Sequence, residues 1–255
     1  HFFFFFLDGV KENDFTMVMG YPGRTDRYLT SYGVQMALDL TNPAVVKIRD
    51  KKLKLMKEDM DASTEIRIKY ASTYAQTANY WKYFIGQSQQ LKNNGVVEKK
   101  KDLENKFQTW AGQDPQRLAK YGYALRDLET AYNDMRKLVL ARTYLNEAIL
   151  QGAGVPFFAY QMGQLKEVIA DTSNPAGLAE AIAEVRNEGK TFYKDYNIST
   201  DKKLLEAMLQ MYSEGIAKEN QPAIFDSIRV RYNGNYKSSV DDVYARSVFA
   251  TSDKF

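Results

Sequence analysis

Residues 17–33, MVMGYPGRTDRYLTSYG, read unlike the chain that follows them. The flanking segments DFTMVMGY (14–21) and RYLTSYGV (27–34) are rich in Tyr, Thr, Val and Phe. These side chains favour a pleated, half-buried backbone. Between them Pro22-Gly23 has the order of a type II turn, with Pro at its second position and Gly at its third. The expectation is a β-hairpin over residues 14–34. Two strands alone in water are marginal, and residues 34–255 offer no convincing partners. Either the hairpin folds onto helices or it belongs to a sheet whose other strands lie outside this sequence; the second is the expectation taken here.

The remainder reads as helix. Asn42-Pro43 has the form of an N-cap followed by Pro at the first helical position, with Val46, Ile48, Leu53 and Met56 among the apolar positions beyond it. Ile66, Tyr70, Tyr74, Trp81, Phe84 and Leu91 recur at about 3.6-residue spacing across Ser63 to Asn93. Gly95 suits a left-handed stop. A third helix is expected from Val96 to Ala111. A long fourth one is expected from Asp114-Pro115 to about Leu150, broken by QGAGVP. Further helices are expected over about Phe157–Ala170, from a cap at Asn174-Pro175 to near Tyr196, and from a Ser or Thr cap in STDKKLLEAML. One or two more are expected in the tail, split at Asn233-Gly234. The fold class is mainly α: a multi-helix antiparallel helical domain behind a short N-terminal β-hairpin stub.

Composition removes much chemistry. The one histidine is His1, at the ragged start HFFFFFL, so no Ser-His or Cys-His pair can be assembled around it. That start resembles a cut end running into a buried strand more than a signal peptide. There is no cysteine, which excludes disulfides and His/Cys metal sites without fixing the compartment. A net charge of +3 spread through mixed-sign segments gives no nucleic-acid footprint. No apolar run approaches the roughly 20 residues of a membrane span. Neither a phosphate-loop nor a dinucleotide glycine spacing occurs, and no cofactor is expected. The acidic groups Glu58/Asp59/Asp61 and Asp241/Asp242 lack calcium-loop spacing and read as solvated surface. The 18 tyrosines suggest the edges of an amphipathic core, and less often a ligand lining.

One segment invites a binding role. In TANYWKYFIGQ (77–87) a helix turns Trp81, Phe84 and Ile85 toward the core and sends Asn79 elsewhere, grouped with Gln76, Lys82, Tyr83 and Gly86. Asn is mildly unfavourable in a helix interior. Its carbonyl can accept from a ligand ammonium and its amide can donate to a ligand carbonyl. The plain alternative is an exposed helix Asn.

Together, GYPGRTDRYLTSYGV and ANYWKYFIGQ resemble the bacterial serine dipeptidyl-peptidases of types seven and eleven, over essentially the whole chain. The resemblance implies a chymotrypsin-like double β-barrel carrying the catalytic triad, with a large helical domain inserted into it and capping the cleft. The Gly-Phe-Pro-Gly-Arg-Thr motif, here with Tyr21 for Phe, closes the barrel portion ahead of the insert. Residues 1–34 are then the stub of that barrel, and 35–255 the inserted helical lid. The catalytic His and Asp are expected upstream of residue 1 and the nucleophilic Ser downstream of Phe255, so no catalytic residue is named and this fragment alone is expected to be inactive. Asn79 matches the asparagine with which the family's helical domain helps hold the free N-terminal amine of a peptide. Arg24 and Arg27 are expected to tie the hairpin to acidic partners. The implied function is a substrate-gating lid that partners a peptide N-terminus and the missing barrel portions, in the periplasm or on the outer surface of a Gram-negative bacterium. A homodimer of the parent is compatible with the sequence. The competing reading is a non-enzymatic helical module that binds a protein through its tyrosine-rich face.

Overall fold

The structure is a computed structural model describing residues 9–17, 20, 25–163, 165–170 and 175–255. Its spine is an antiparallel helical pair. Helix α1 (Ser31–Met36) passes through a wide π-helical turn, Ala37–Thr41, into α2 (Asn42–Ala62). After Ser63, α3 (Thr64–Asn93) runs back along α2. The start of α2 meets the end of α3, where buried Asn42 donates from Nδ2 to Gln87 Oε1 at 2.9 Å and Ser88 Oγ at 3.0 Å. At the other end Arg67 Nε donates to the Met60 carbonyl at 3.1 Å. Asn42 is thus a cross-link inside continuous helix, not the N-cap expected. Proline in a helix lacks an N–H and crowds the carbonyl four residues back; the wider turn just ahead of Pro43 accommodates it.

Local chemistry sets most of the other boundaries. Ser63 Oγ accepts from the Ile66 N–H at the start of α3, and Gly95 takes φ 55°, ψ 43° after its end. Helix α4 (Val96–Gly112) follows. Asp114 caps α5 (Pro115–Tyr121), accepting from the Arg117 N–H at 2.9 Å. The single long helix expected to Leu150 is three pieces: α5, then α6 (Ala124–Tyr144), then a π-helical segment Leu145–Leu150. The break falls at Gly122, where a Cβ would stand 2.5 Å from the Leu118 carbonyl oxygen. The Phe157–Ala170 expectation resolves into α7 (Gly154–Met162) and α8 (Leu165–Ala170). Helix α9 is Pro175–Lys194; its expected cap, Asn174, lies outside the described residues. Asn197, not a Ser or Thr, caps α10 (Ile198–Gly215), accepting from the Thr200 N–H at 3.0 Å. The tail forms α11 (Ile224–Arg231) and α12 (Tyr236–Arg246), separated by Asn233 and Gly234 in left-handed conformation.

The core lies where α2, α3, α10, α11 and α12 meet. Ile48, Met56, Leu204 and Met208 are enclosed there, with Tyr212 stacked on Phe225 at 4.9 Å between ring centroids. Asp59, read from sequence as solvated, is a clamp between α2 and α10. It accepts from Thr200 Oγ1 at 2.8 Å and Lys203 Nζ at 2.9 Å.

The expected N-terminal sheet is not found. Among the described residues there is no strand, and Ser31–Met36, the second half of RYLTSYGV, is helical. Residues 18, 19 and 21–24, including Pro22-Gly23 and Arg24, lie outside the described residues. Tertiary contacts outweigh the local β preference of Tyr32 and Val34. Thr30 makes no side-chain cap bond; instead the Ser31 N–H and hydroxyl donate to Glu104 Oε1 and Oε2 of α4, each at 2.6 Å. Val34 and Leu38 then bury against Val97 in a small satellite core. Arg27 offers its carbonyl to Lys100 Nζ at 2.7 Å.

Candidate functional site

A cavity of about 480 Å³ opens between the α2–α3 pair and the segments that follow the Leu145–Leu150 turn. Helix α2 contributes Arg49 and Lys52, α3 contributes Tyr70, Gln76 and Tyr80, and the 151–154 loop and α7 supply backbone and Phe157. Phe192, Asp195 and Tyr196 come from α9 and its exit, and Asp201 and Leu204 from α10. Helical periodicity explains the polar walls. Lys52 stands between Ile48 and Met56 on the buried stripe of α2, and Asp201 precedes Leu204, Leu205 and Met208 on that of α10.

Asp201 is 1% exposed, and its carboxylate is filled by donors. The Gly154 and Val155 N–H groups, the latter at 3.0 Å, point at it from the first turn of α7, and Tyr244 Oη–H donates at 2.6 Å. Burial pushes the Asp201 carboxyl above the usual range, against the pull of Tyr244 and the two backbone donors. Its nearness and the low-dielectric surroundings drive the Tyr244, Tyr196 and Tyr70 phenols upward, burial being the larger cause, so all three are neutral donors at physiological pH.

Arg49 Nη2 donates to Glu147 Oε1 at 3.0 Å, while Nε, 2.8 Å from Oε2, is paired by charge. The guanidinium also lies over the Tyr80 ring, 5.3 Å from its centroid. Lys52 Nζ donates to the Gln151 carbonyl at 2.6 Å. Burial, and then Arg49 beside it, lower the Lys52 ammonium from 10.5 to about 8. In the unfolded chain the same lysine holds its proton to higher pH. Between about 8 and 10.5 the unfolded state therefore binds more protons, and folding stability rises with pH. Lys52 is half-buried, so the full shift does not carry over into stability. Urea unfolding is expected to show a gain of about 1 kcal/mol from pH 8 to 9.5 in the wild type. Lys52→Met should remove that gain.

Asn79 sits on the exposed side of α3 and does not line this cavity, although Gln76 and Tyr80, three residues before and one after, do. Its expected companions Gln76, Lys82 and Tyr83 are also exposed, so a polar face exists there. Trp81 packs against the core as expected. Ile85, expected inward, is 39% exposed, whereas Trp81 and Phe84 are half-buried. The cavity escaped the sequence reading because its walls are drawn from residues 49 to 204. The available signal was a lysine and an aspartate lying within otherwise apolar stripes. Among the described residues no group of His, Cys, Asp and Glu is placed to hold a metal ion, and no helix is long and apolar enough to cross a membrane.

Comparison with known proteins places this architecture. The chain is 37% identical over 250 residues to dipeptidyl-peptidase 7 of Porphyromonas gingivalis, covering 98% of this chain and 34% of that protein. It is 34% identical over 250 residues to the Asp/Glu-specific dipeptidyl-peptidase of Flavobacterium psychrophilum, covering 97% of this chain and 34% of that protein. In three dimensions it resembles Porphyromonas endodontalis DPP11 in complex with the dipeptide Arg-Glu, at TM-score 0.71 and 25% identity over 92% of this chain and 33% of that one. The chain thus spans about a third of the length of the relatives it matches. The family model for peptidase S46 matches residues 1–255, end to end, and the chain belongs to the peptidase S46 family.

Proposed function

We propose that this chain is the helical lid of a serine dipeptidyl-peptidase that removes dipeptides from peptide N-termini. The observation that carries this reading is the pairing of an end-to-end family match with coverage of only a third of relatives that are named dipeptidyl-peptidases. A helical body that occupies a third of such a protein has the size of a domain packed over a catalytic scaffold. On this reading the Ser-His-Asp triad and its β-barrel belong to the parts of the parent that this chain does not span. The helical portion was expected from residue 35 and begins at Ser31 in the structure. The parent works in the periplasm or at the outer surface of a Gram-negative cell.

Asn79 would hold the free α-amine of the peptide. An exopeptidase must reward a terminal ammonium at a fixed distance from the scissile bond, and an amide oxygen on a rigid helix provides an acceptor at a set position. A site built to hydrogen-bond a terminus rejects ligands that lack it, because its polar group is then left unpaired. Lid closure over the peptide would also exclude water from the cleft.

The test is Asn79→Ala in the full-length parent. Loss of a hydrogen bond to a charged group predicts a fall in kcat/KM of roughly 10²-fold on unblocked peptides. Thermal stability should not move, since Asn79 is exposed on α3 and its side chain packs into no core cluster of the described residues. Near-wild-type efficiency would remove Asn79 from the site. The 255-residue chain alone is expected to release no dipeptide from any substrate.

A further inference from the structure

The cavity between α2, α3, α9 and α10 holds donors that the folded chain leaves incomplete. The Tyr196 hydroxyl is shut off from solvent and has no hydrogen-bond partner. Burying a polar group without a partner is costly. The Lys52 ammonium, with three protons to donate, is given one carbonyl, that of Gln151. The nearby carboxylates do not complete either group. Glu147 is held by Arg49, and Asp201 by the Gly154 and Val155 N–H groups and Tyr244. A cationic donor and a neutral phenol donor therefore belong to the walls of one space, where the Glu147 and Asp201 carboxylates are already taken and Asp195, exposed at the exit of α9, is the remaining one in the lining. The other walls are Tyr70, Phe157, Phe192 and Leu204, which suit an apolar or aromatic body. A volume of about 480 Å³ is in the range of small-molecule sites.

We propose that this cavity is a ligand site of its own, apart from the Asn79 face, and takes a small carboxylate with an apolar or aromatic body, its carboxylate bound by Lys52 and Tyr196. An amine-first orientation is disfavoured because Arg49 already occupies Glu147. Asp195, which also lines the cavity, would select at most the far end of a longer ligand. The charged and titratable groups facing Lys52 are Arg49 on its own helix, Tyr70 of α3, Glu147, Asp195 and Tyr196 beside α9, and Asp201 of α10. A bound anion would offset the burial and the Arg49 repulsion that depress the lysine, so binding couples to its protonation.

The experiment is calorimetric titration of the intact full-length protein with N-acetylphenylalanine and, separately, phenylalaninamide. The first carries the carboxylate without an ammonium, the second the reverse. Because the acetylated ligand has no free amine, its binding does not depend on a site that grips peptide N-termini. Failure here is thereby separate from failure of the lid reading. Expected is saturable binding of N-acetylphenylalanine that is unchanged in Asn79→Ala; any binding of the amide belongs to the site that grips N-termini and should weaken in that variant and not in Lys52→Met. Lys52→Met should weaken that binding at least tenfold, and Tyr196→Phe several-fold without loss of fold. Raising the pH from 7 to 9.5 should weaken it by more than tenfold in the wild type. Absence of saturable N-acetylphenylalanine binding would overturn the proposal. So would equal affinity in wild type, Lys52→Met and Tyr196→Phe, or binding of the acetylated ligand that is lost in Asn79→Ala.

Discussion

Asp201→Ala is expected to lower the unfolding free energy by roughly 4–5 kcal/mol, read as a shift in the urea midpoint at constant slope. The substitution removes little apolar area. Its effect comes from three buried donors, the Gly154 and Val155 N–H groups and the Tyr244 hydroxyl, that lose their acceptor together. Asp201 is 1% exposed and Tyr244 is equally enclosed, so the one stand-in for the carboxylate is water from the cavity that Gly154 and Asp201 line, which keeps the expected cost below the sum of three lost acceptors. Each unpaired buried donor costs roughly 1–3 kcal/mol, and the loss of a negative charge at the first turn of α7 adds to this. Two companion variants separate this cause from packing. Tyr244→Phe deletes one donor while leaving the other two paired, and should cost only about 1–2 kcal/mol. Asp201→Asn keeps the volume but turns an NH₂ toward the Gly154 or the Val155 N–H, neither of which can accept, so it should recover less than half of the loss. If Asp201→Asn were as stable as wild type, the carboxylate would not be the organiser of this corner.

That dependence also marks the limit of what could be read from the chain alone. Boundaries written in neighbouring residues were legible: the start near Ser63, the left-handed Gly95, Asp114-Pro115 and the Asn233-Gly234 break each carry their cause within three or four positions. The helical class followed from the apolar spacing of α2, α3 and α10. Misreadings arose where the cause is remote. RYLTSYGV has strand-forming side chains, but the helix that replaces its second half is capped by Glu104, 73 residues away from Ser31. Asn42 has the look of a cap and serves as a bridge to Gln87 and Ser88, some 45 residues on. The Asn79 face was legible as an unusual polar position on a helix. The cavity was not, because the role of Asp201 depends on a loop near residue 154 and a tyrosine at 244, and neither stands near it in sequence.

Gly152→Ala tests that same loop through sterics instead of charge, and should destabilise by roughly 3–4 kcal/mol. A Cβ at Gly152 would stand 1.9 Å from the Ala148 carbonyl oxygen and 2.7 Å from Met208 Cγ. Neither neighbour has room to yield, because Met208 and Ala148 are both enclosed in the core, the latter in the Leu145–Leu150 turn. The loop backbone must therefore move, taking with it the Gln151 carbonyl that holds Lys52 and the Gly154 and Val155 N–H groups that point at Asp201. Overpacking is thus compounded by broken buried hydrogen bonds, which places the expected cost above the usual range for one added methyl. Gly86→Ala is the matched control. Gly86 lies within α3 with nothing inside 4 Å of where its Cβ would be. There the added methyl only restricts the unfolded chain and favours helix, so stability should rise by about 0.5–1 kcal/mol. Opposite signs from one chemical change would show that the cavity loop is held by close approach of its backbone to the core. A neutral Gly152→Ala would mean that this loop yields, and that the donors aimed at Asp201 follow the carboxylate instead of positioning it.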